Sequence, residues 1–185
     1  ENITVFTTRV DTIFSAAFVV LAPEHPLVAK ITTPDQKNAV QAYQKEAQKK
    51  TEIQRTDLAK EKTGVFTGAF VINPANGKKL QVWTADFVLA HYGHGAVFAD
   101  AHDERDFEFA KKYTLPLTTT ICPSKGYDDA DIRALKVCYS GDGILYDSGE
   151  FTGLISADAR KKISQWLEEK KQGKQIQCHR EQDQK

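Results

Sequence analysis

Two short polar clusters carry the side chains that are best suited to chemistry. The first interrupts an apolar passage near the start of the chain and consists of Thr7, Thr8, Arg9, Asp11 and Thr12. Adjacent hydroxyls at the end of a strand could bind a carbonyl oxygen or position a water molecule. A structural role is also open, because Thr8 or Asp11 could cap a helix and threonine is common in strands.

The second cluster lies in the segment AHDERDF and consists of His102, Asp103, Glu104, Arg105 and Asp106. Asp103 and Asp106 share one face if this segment is helical. The structural interpretation is an acidic first helical turn, which suits the helix dipole. A carboxylate could instead hold a substrate ammonium. His102 with the carboxylates could also bind a metal ion, although the spacing matches no specific ligand signature.

The sequence contains none of the common motifs for nucleophilic or nucleotide chemistry. GxSxG, P-loop and Rossmann fingerprints are absent, and no Ser/His or Cys/His set is evident. Hydroxyls combined with carboxylates therefore favour hydrolysis by a positioned water over nucleophilic catalysis.

The composition predicts one globular domain over residues 1–185. Lys plus Arg number 25 and Asp plus Glu number 25, so the net charge is zero. A large sequence-independent nucleic-acid surface would need a surplus of cations.

Widely spaced cysteines (Cys122, Cys138 and Cys178) favour a reduced, cytoplasmic chain, and no apolar stretch is long enough to span a membrane. The lack of Met and the start inside a predicted strand suggest a segment excised from a longer protein.

Hydrophobic periodicity predicts short strands flanked by helices. Strands are expected at 3–6, 14–22, 64–74, 75–89, 91–99, 118–122 and 134–140, with Asn76-Gly77 as a hairpin turn. Helices are expected within 34–62, over 103–113 and over 156–171, the last capped by Ser156. The fold class is therefore α+β and mainly β, with a closed or bent β-barrel core and peripheral helices.

The clusters and the text between them resemble the editing domains of leucyl-tRNA synthetases. TTRVDTIF is similar to the family's threonine-rich TTRPDTLF, and HDERDFEFA is typical of the bacterial type. Further similar segments follow in the family's order at 21–28, 60–89, 101–113 and 142–154. Isoleucyl and valyl relatives share the threonine motif, so their editing domains are one alternative. A non-catalytic module that binds the tRNA 3′ end is another.

The resemblance implies a domain called connective polypeptide 1, inserted in a class I synthetase. It would hydrolyse the ester between a noncognate amino acid, such as isoleucine or norvaline, and the 3′-terminal adenosine of leucine tRNA. Such a second sieve is needed because a pocket rejects a slightly different amino acid only weakly. No HIGH or KMSKS motif is present, so editing without aminoacylation is expected. The implied partners are the tRNA CCA end and the rest of the synthetase in cis, without a membrane.

The resemblance assigns the first cluster to the ester and to specificity. Thr7 and Thr8 would hold the substrate carbonyl or the attacking water. Arg9 and Asp11 would organise that strand end. The methyl-bearing bulk of Thr12 would exclude leucine and so protect the correct product. Editing would need no metal or other cofactor, whereas ATP and Mg would serve the absent synthetic domain.

The second cluster and the loop before it would bind the rest of the substrate. Asp106 would pair with the α-ammonium, supported by Asp103. Tyr92 would contact the terminal adenosine or its phosphate. The remaining substrate-binding residues implied by the resemblance are Val97, Phe98 and His102.

Three features depart from the family pattern. Val10 replaces the usual proline of the threonine motif, and His94 stands where threonine is usual. Residues 96–101 read AVFADA, where the family commonly has AVMAVPA, so this pocket-forming loop is one residue shorter.

Overall fold

A four-stranded mixed sheet lies at the centre of the computed structural model, which describes residues 2–57, 61–124 and 128–176. The strands are β1 (Phe18–Leu21), β2 (Gly64–Ile72), β3 (Lys79–Ala85), β4 (Ala96–Ala99), β5 (Ile121–Cys122) and β6 (Ile144–Leu145). The sheet order is β2-β3-β1-β4, with β1 parallel to β3 and the other pairs antiparallel. β5 and β6 form a separate two-stranded sheet.

Helices surround these sheets. The α-helices are α1 (Pro26–Ile31), α2 (Lys37–Gln48), α3 (Glu52–Thr56), α4 (Glu104–Lys112), α5 (Ala130–Arg133) and α6 (Ser156–Glu169). Short 3₁₀ helices cover Val10–Ser15, Pro34–Gln36 and Gly149–Phe151. The helical segment expected within 34–62 therefore forms several pieces, and its residues 58–60 lie outside the described residues.

The apolar run FVVL forms β1 because this strand is buried on both faces. Phe18 and Val20 pack on one face with Phe109 of α4, whereas Val19 and Leu21 belong to the cluster on the other face. Phe109 stacks on Phe18 with ring centroids 5.4 Å apart, and it is fully buried. This contact holds α4 against β1 at Phe18, whose partner on β4 is Ala99, the last residue of that strand.

The hairpin between β2 and β3 confirms the prediction from Asn76-Gly77. Its turn also supports the first polar cluster. Asn73 Nδ2 donates to the Ile13 carbonyl at 2.8 Å, and Asn76 Nδ2 donates to the Phe14 carbonyl at 2.9 Å. The hairpin therefore holds the end of the 3₁₀ helix that follows the threonine-rich motif.

Two helices lie where the sequence predicts them. α4 has acidic residues in its first turn and lysines in its last turn, as its dipole favours. α6 packs Ile163 and Leu167 against the 3₁₀ helix at Val10–Ser15. The predicted cap of α6 was wrong, because Ser156 is its first helical residue and its Oγ accepts instead from the Gly143 N–H at 3.0 Å.

Several expected strands differ in the structure. Residues 3–6 form no strand and make a single backbone bond to β4, from the Phe6 N–H to the Ala96 carbonyl at 3.2 Å. Residues 134–140 are turns and irregular chain, and Leu135 has a φ of 55°. Residues 91–95 form turns before β4 instead of extending it, with Gly93 and Gly95 at positive φ.

The described strands form an open sheet and a two-stranded sheet, and they do not close into a barrel. Closure requires a hydrogen-bonded partner on each outer strand. On the edge away from β1, β4 receives from the described chain only the isolated bond of Phe6, and β2 contacts α1 and α2. The mixed α and β content of the prediction is confirmed, and the sheet carries an irregularity between Phe66 and Phe70. Within the described ranges, no helix is long and apolar enough to cross a membrane.

Candidate active site

The two polar clusters meet through a residue that belongs to neither of them, Asp100. Thr12 Oγ1 lies 2.6 Å from Asp100 Oδ2, and the Asp100 N–H donates to Asp106 Oδ2 at 3.4 Å. All three residues are buried. The turn after β4 therefore joins the 3₁₀ helix of the first cluster to the N-terminus of α4. Sequence reasoning missed Asp100. An available signal was an aspartate directly after a predicted strand, in the loop that differs from the family pattern.

Thr7 and Thr8 lie at the surface end of this arrangement. Thr7 Oγ1 accepts from the Arg9 N–H at 2.9 Å, and Thr8 is exposed. The Thr8 hydroxyl makes no hydrogen bond within the described part of the chain. The helix-cap interpretation was wrong here, because the cap position is Arg9 and the described residues provide no capping side chain. Both hydroxyls can therefore donate to a ligand.

Arg9 and Asp11 belong to a charge network that anchors the motif. Asp11 is fully buried and lies 3.1 Å from Arg9 Nε and 3.2 Å from Arg160 Nη1. Arg160 also forms two hydrogen bonds to Asp142, at 2.8 and 2.7 Å. Arg9 Nη1 donates to the Ser140 carbonyl at 2.8 Å. These contacts bind the threonine-rich segment to α6 and to the loop before β6.

His102 is held by both of its ring nitrogens. Nε2 lies 3.0 Å from the Thr120 backbone nitrogen, whose N–H can only donate. Nδ1 therefore carries the proton and donates to the Tyr139 carbonyl at 2.8 Å. Burial lowers the pKa of His102, which keeps the ring neutral. This side chain supports the loop from within and has no nitrogen left for a substrate or a metal ion.

Asp103 and Asp106 have different environments. Asp103 caps α4, accepting from the backbone N–H groups of Arg105 at 2.9 Å and Asp106 at 3.2 Å. Asp106 is 8% exposed, and no Lys or Arg among the described residues forms an ion pair with it. Burial, and then the charge of Asp103, raise the pKa of Asp106 well above its ordinary value. Asp106 is therefore a buried carboxyl that suits a cation from a ligand.

Tyr92 lies beside the first cluster with 58% of its surface exposed. Its ring meets the ring of Phe6 edge to face, with centroids 5.6 Å apart. Gly93 permits this approach, because its φ is 60° and a Cβ there would lie 2.5 Å from Phe6 Cβ. An exposed aromatic ring against Phe6, the residue before Thr7, offers a surface on which a base could stack.

Val97 and Phe98 occupy neighbouring positions of β4 and pack on different clusters. Val97 packs against the cluster that contains Phe18 and Phe109. Phe98 packs against the cluster on the opposite face of the sheet and against the one that includes Ile163 and Leu167 of α6. This follows from the alternation of side chains along a strand. The structure thus places these two predicted pocket residues on opposite faces of the sheet.

No group of three or more His, Cys, Asp or Glu side chains is arranged to hold a metal ion in residues 2–57, 61–124 and 128–176. Asp103 uses its carboxylate as a helix cap, and His102 is occupied as described above. The side chains at the site thus combine hydroxyls, an exposed aromatic ring and two buried carboxyls, Asp100 and Asp106, that form no ion pair with a described Lys or Arg.

This geometry agrees with a family model described as leucyl-tRNA synthetase, editing domain, which matches residues 1–168. The chain belongs to this family of tRNA-synthetase editing domains. The match is to the leucyl branch and so favours it over the isoleucyl and valyl alternatives.

Among its relatives is the leucine–tRNA ligase of Rubrobacter xylanophilus, which is 50% identical over 174 residues. That match covers 94% of this chain and 21% of the ligase. A similar solved structure is the Agrobacterium radiobacter K84 agnB2 LeuRS in a ternary complex with tRNA and LeuAMS, with a TM-score of 0.67 and 30% identity. That likeness covers 93% of this chain and 18% of the synthetase chain. The chain therefore spans about a fifth of the length of these relatives.

Proposed function

We propose that this chain hydrolyses the ester of leucine tRNA charged with a noncognate amino acid, such as isoleucine or norvaline, and spares leucyl-tRNA. The observation that carries this proposal is the junction at Asp100, which brings Thr12 and the unpaired carboxyl of Asp106 into one hydrogen-bonded unit. A carboxyl for an ammonium and free hydroxyls for a carbonyl match a substrate that has one ammonium and one ester carbonyl.

In this mechanism Asp106 binds the α-ammonium of the amino acid. Because burial raises its pKa, the carboxyl must be ionised for this contact, so substrate binding favours loss of the Asp106 proton. Thr7 and Thr8 donate hydrogen bonds to the ester carbonyl or orient the water. The water oxygen bonds to the carbonyl carbon, the bond from that carbon to the ribose oxygen breaks, and a proton passes from the water to the ribose oxygen.

Tyr92 contacts the terminal adenosine in the same proposal, because its exposed ring lies next to the threonine motif. The reaction uses no metal ion or cofactor. The chain acts as an insertion in a longer synthetase that works in the cytoplasm. The synthetase body supplies ATP- and Mg-dependent aminoacylation and most of the tRNA affinity, since the net charge here is zero.

The double substitution Thr7→Ala and Thr8→Ala tests the hydrolytic role. We expect about a 100-fold lower rate of isoleucyl-tRNA hydrolysis, the loss typical when donors to a developing oxyanion are removed. Thr118→Ala is a control, because Thr118, like Thr8, is exposed and its hydroxyl makes no hydrogen bond within the described residues. Equal rates for the double variant and the wild-type chain, both above the background rate, would refute the assignment of these threonines.

Thr12→Ala tests the exclusion of leucine. Removal of the methyl and hydroxyl should admit the leucine side chain, and we expect leucyl-tRNA hydrolysis to rise by about ten-fold or more. Thr84→Ala is the control, since Thr84 is also buried but its hydroxyl has no partner in the described chain. If leucyl-tRNA stays intact with the Thr12 variant, another residue excludes leucine.

A further inference from the structure

Asp100 holds Thr12 by contacts that the proposed mechanism does not otherwise use. Asp100 is 5% exposed and is bonded at both carboxyl oxygens. Oδ1 accepts from the His102 N–H at 2.6 Å, and Oδ2 lies 2.6 Å from Thr12 Oγ1. The His102 ring is itself hydrogen-bonded to Tyr139 and Thr120, so the residue that binds Asp100 Oδ1 is held in place on both sides.

The hydrogen atoms around Thr12 Oγ1 can be assigned. This oxygen lies 2.9 Å from the Arg9 carbonyl as well as 2.6 Å from Asp100 Oδ2. A hydroxyl has one hydrogen, which cannot serve both acceptors well. If Asp100 carries a proton on Oδ2, it donates to Thr12, and Thr12 donates to the Arg9 carbonyl. Both short O···O contacts of Thr12 then contain a hydrogen, and the Arg9 carbonyl also accepts from the Thr12 N–H at 3.1 Å.

The electrostatic surroundings agree with a protonated carboxyl. Burial raises the pKa of Asp100, and the buried carboxyl of Asp106 is its close neighbour. Among the residues that the structure describes, no Lys or Arg forms an ion pair with Asp100. A neutral acid here also avoids a second buried negative charge next to the ammonium-binding carboxylate.

We propose that Asp100, as a neutral acid, fixes the side-chain rotamer of Thr12 and thereby sets the discrimination between leucine and noncognate side chains. This inference rests on the proposed function. Two hydrogen bonds to one oxygen leave Thr12 a single staggered χ1 rotamer, and they therefore place its methyl at one point. Asp100 acts through Thr12 and is a positioning residue.

The test compares Asp100→Ala with Asp100→Asn in hydrolysis of leucyl- and isoleucyl-tRNA. We expect the alanine variant to raise the leucyl rate relative to the isoleucyl rate by about ten-fold, because the methyl loses its fixed position. The asparagine variant should keep the wild-type ratio. Its Nδ2 can donate to Thr12 and its oxygen can accept from His102, as the neutral acid does. Asp86→Ala is a control, since Asp86 is equally buried but bonds to Lys50.

An unchanged ratio in the alanine variant, or a ratio in the asparagine variant equal to that of the alanine variant, would overturn the proposal. Scalar couplings to the Thr12 methyl, measured by NMR in the wild-type chain, test it without any variant or substrate. We expect one χ1 rotamer, and rotamer averaging would overturn the inference. A wild-type chain that hydrolyses neither ester would refute the proposed function, whereas the couplings would still decide the role of Asp100.

Discussion

Asp106→Asn should lower isoleucyl-tRNA hydrolysis by about 100-fold or more while it stabilises the free protein near neutral pH. The rate falls because an amide cannot form the charged contact with the α-ammonium, and loss of one partner of a buried charged pair costs about 2–5 kcal/mol. The stability rises because the free protein holds this carboxyl in a buried position without an ion-pair partner among the described residues.

The stability effect has a defined dependence on pH. The pKa of Asp106 is raised in the folded state, mainly by burial and then by the charge of Asp103. Its stabilising contribution is therefore fully present below the unfolded pKa of about 3.9 and is lost as the pH rises through the folded value. The asparagine variant has no carboxyl to ionise at this position, so it does not lose this stability as the pH rises. We expect it to be more stable by about 2 kcal/mol at pH 8 and to show a smaller advantage at pH 4.

Denaturant unfolding between pH 4 and pH 8, together with hydrolysis assays, would measure both effects. Glu108→Gln is the matched control, because Glu108 is an exposed carboxylate on the same helix. Wild-type hydrolysis by the Asp106 variant would mean that the ammonium is bound elsewhere. An advantage that grows toward acid pH would contradict the assigned direction of the pKa change.

Asp11→Ala should destabilise the fold by about 3 kcal/mol, the lower end of the range for breaking a buried ion pair. Asp11 is fully buried between two guanidinium groups, and its removal leaves both without that partner. The lower end applies because the side chains of Arg9 and Arg160 are 30% and 28% exposed, so water partly solvates them.

Asp142→Ala provides the comparison for this network. Asp142 pairs with the same arginines, but its side chain is 57% exposed, so we expect a loss of less than about 1 kcal/mol. The measurement is the free energy of unfolding in denaturant for both variants at neutral pH. If the two variants lost equal stability, or if Asp11→Ala lost none, burial of Asp11 would not be what ties the motif to α6.

Features that depend on neighbouring residues could be predicted from the sequence. The hairpin at Asn76-Gly77 and the charged ends of α4 follow from interactions within a few residues of the chain. The interpretation of the second cluster as an acidic helix N-terminus was correct for Asp103, which caps α4, whereas Asp106, three residues later, is buried without a cation from the described chain. Sequence spacing alone could not separate these two carboxylates.

The sequence by itself determined which residue types are available to the site and the local elements that carry them. Only the tertiary structure decided which side chains meet, because these contacts join distant residues. Thr12 and Asp100 are 88 positions apart, and Asp11 and Arg160 are 149 apart. The bond between Thr12 and Asp100 depends on the pairing of β1 with β4, and that between Asp11 and Arg160 on the packing of α6 against the 3₁₀ helix at Val10–Ser15. Burial then gives each group its role: it holds Asp106 without an ion-pair partner from the described residues, keeps His102 neutral and places Asp100 against Thr12.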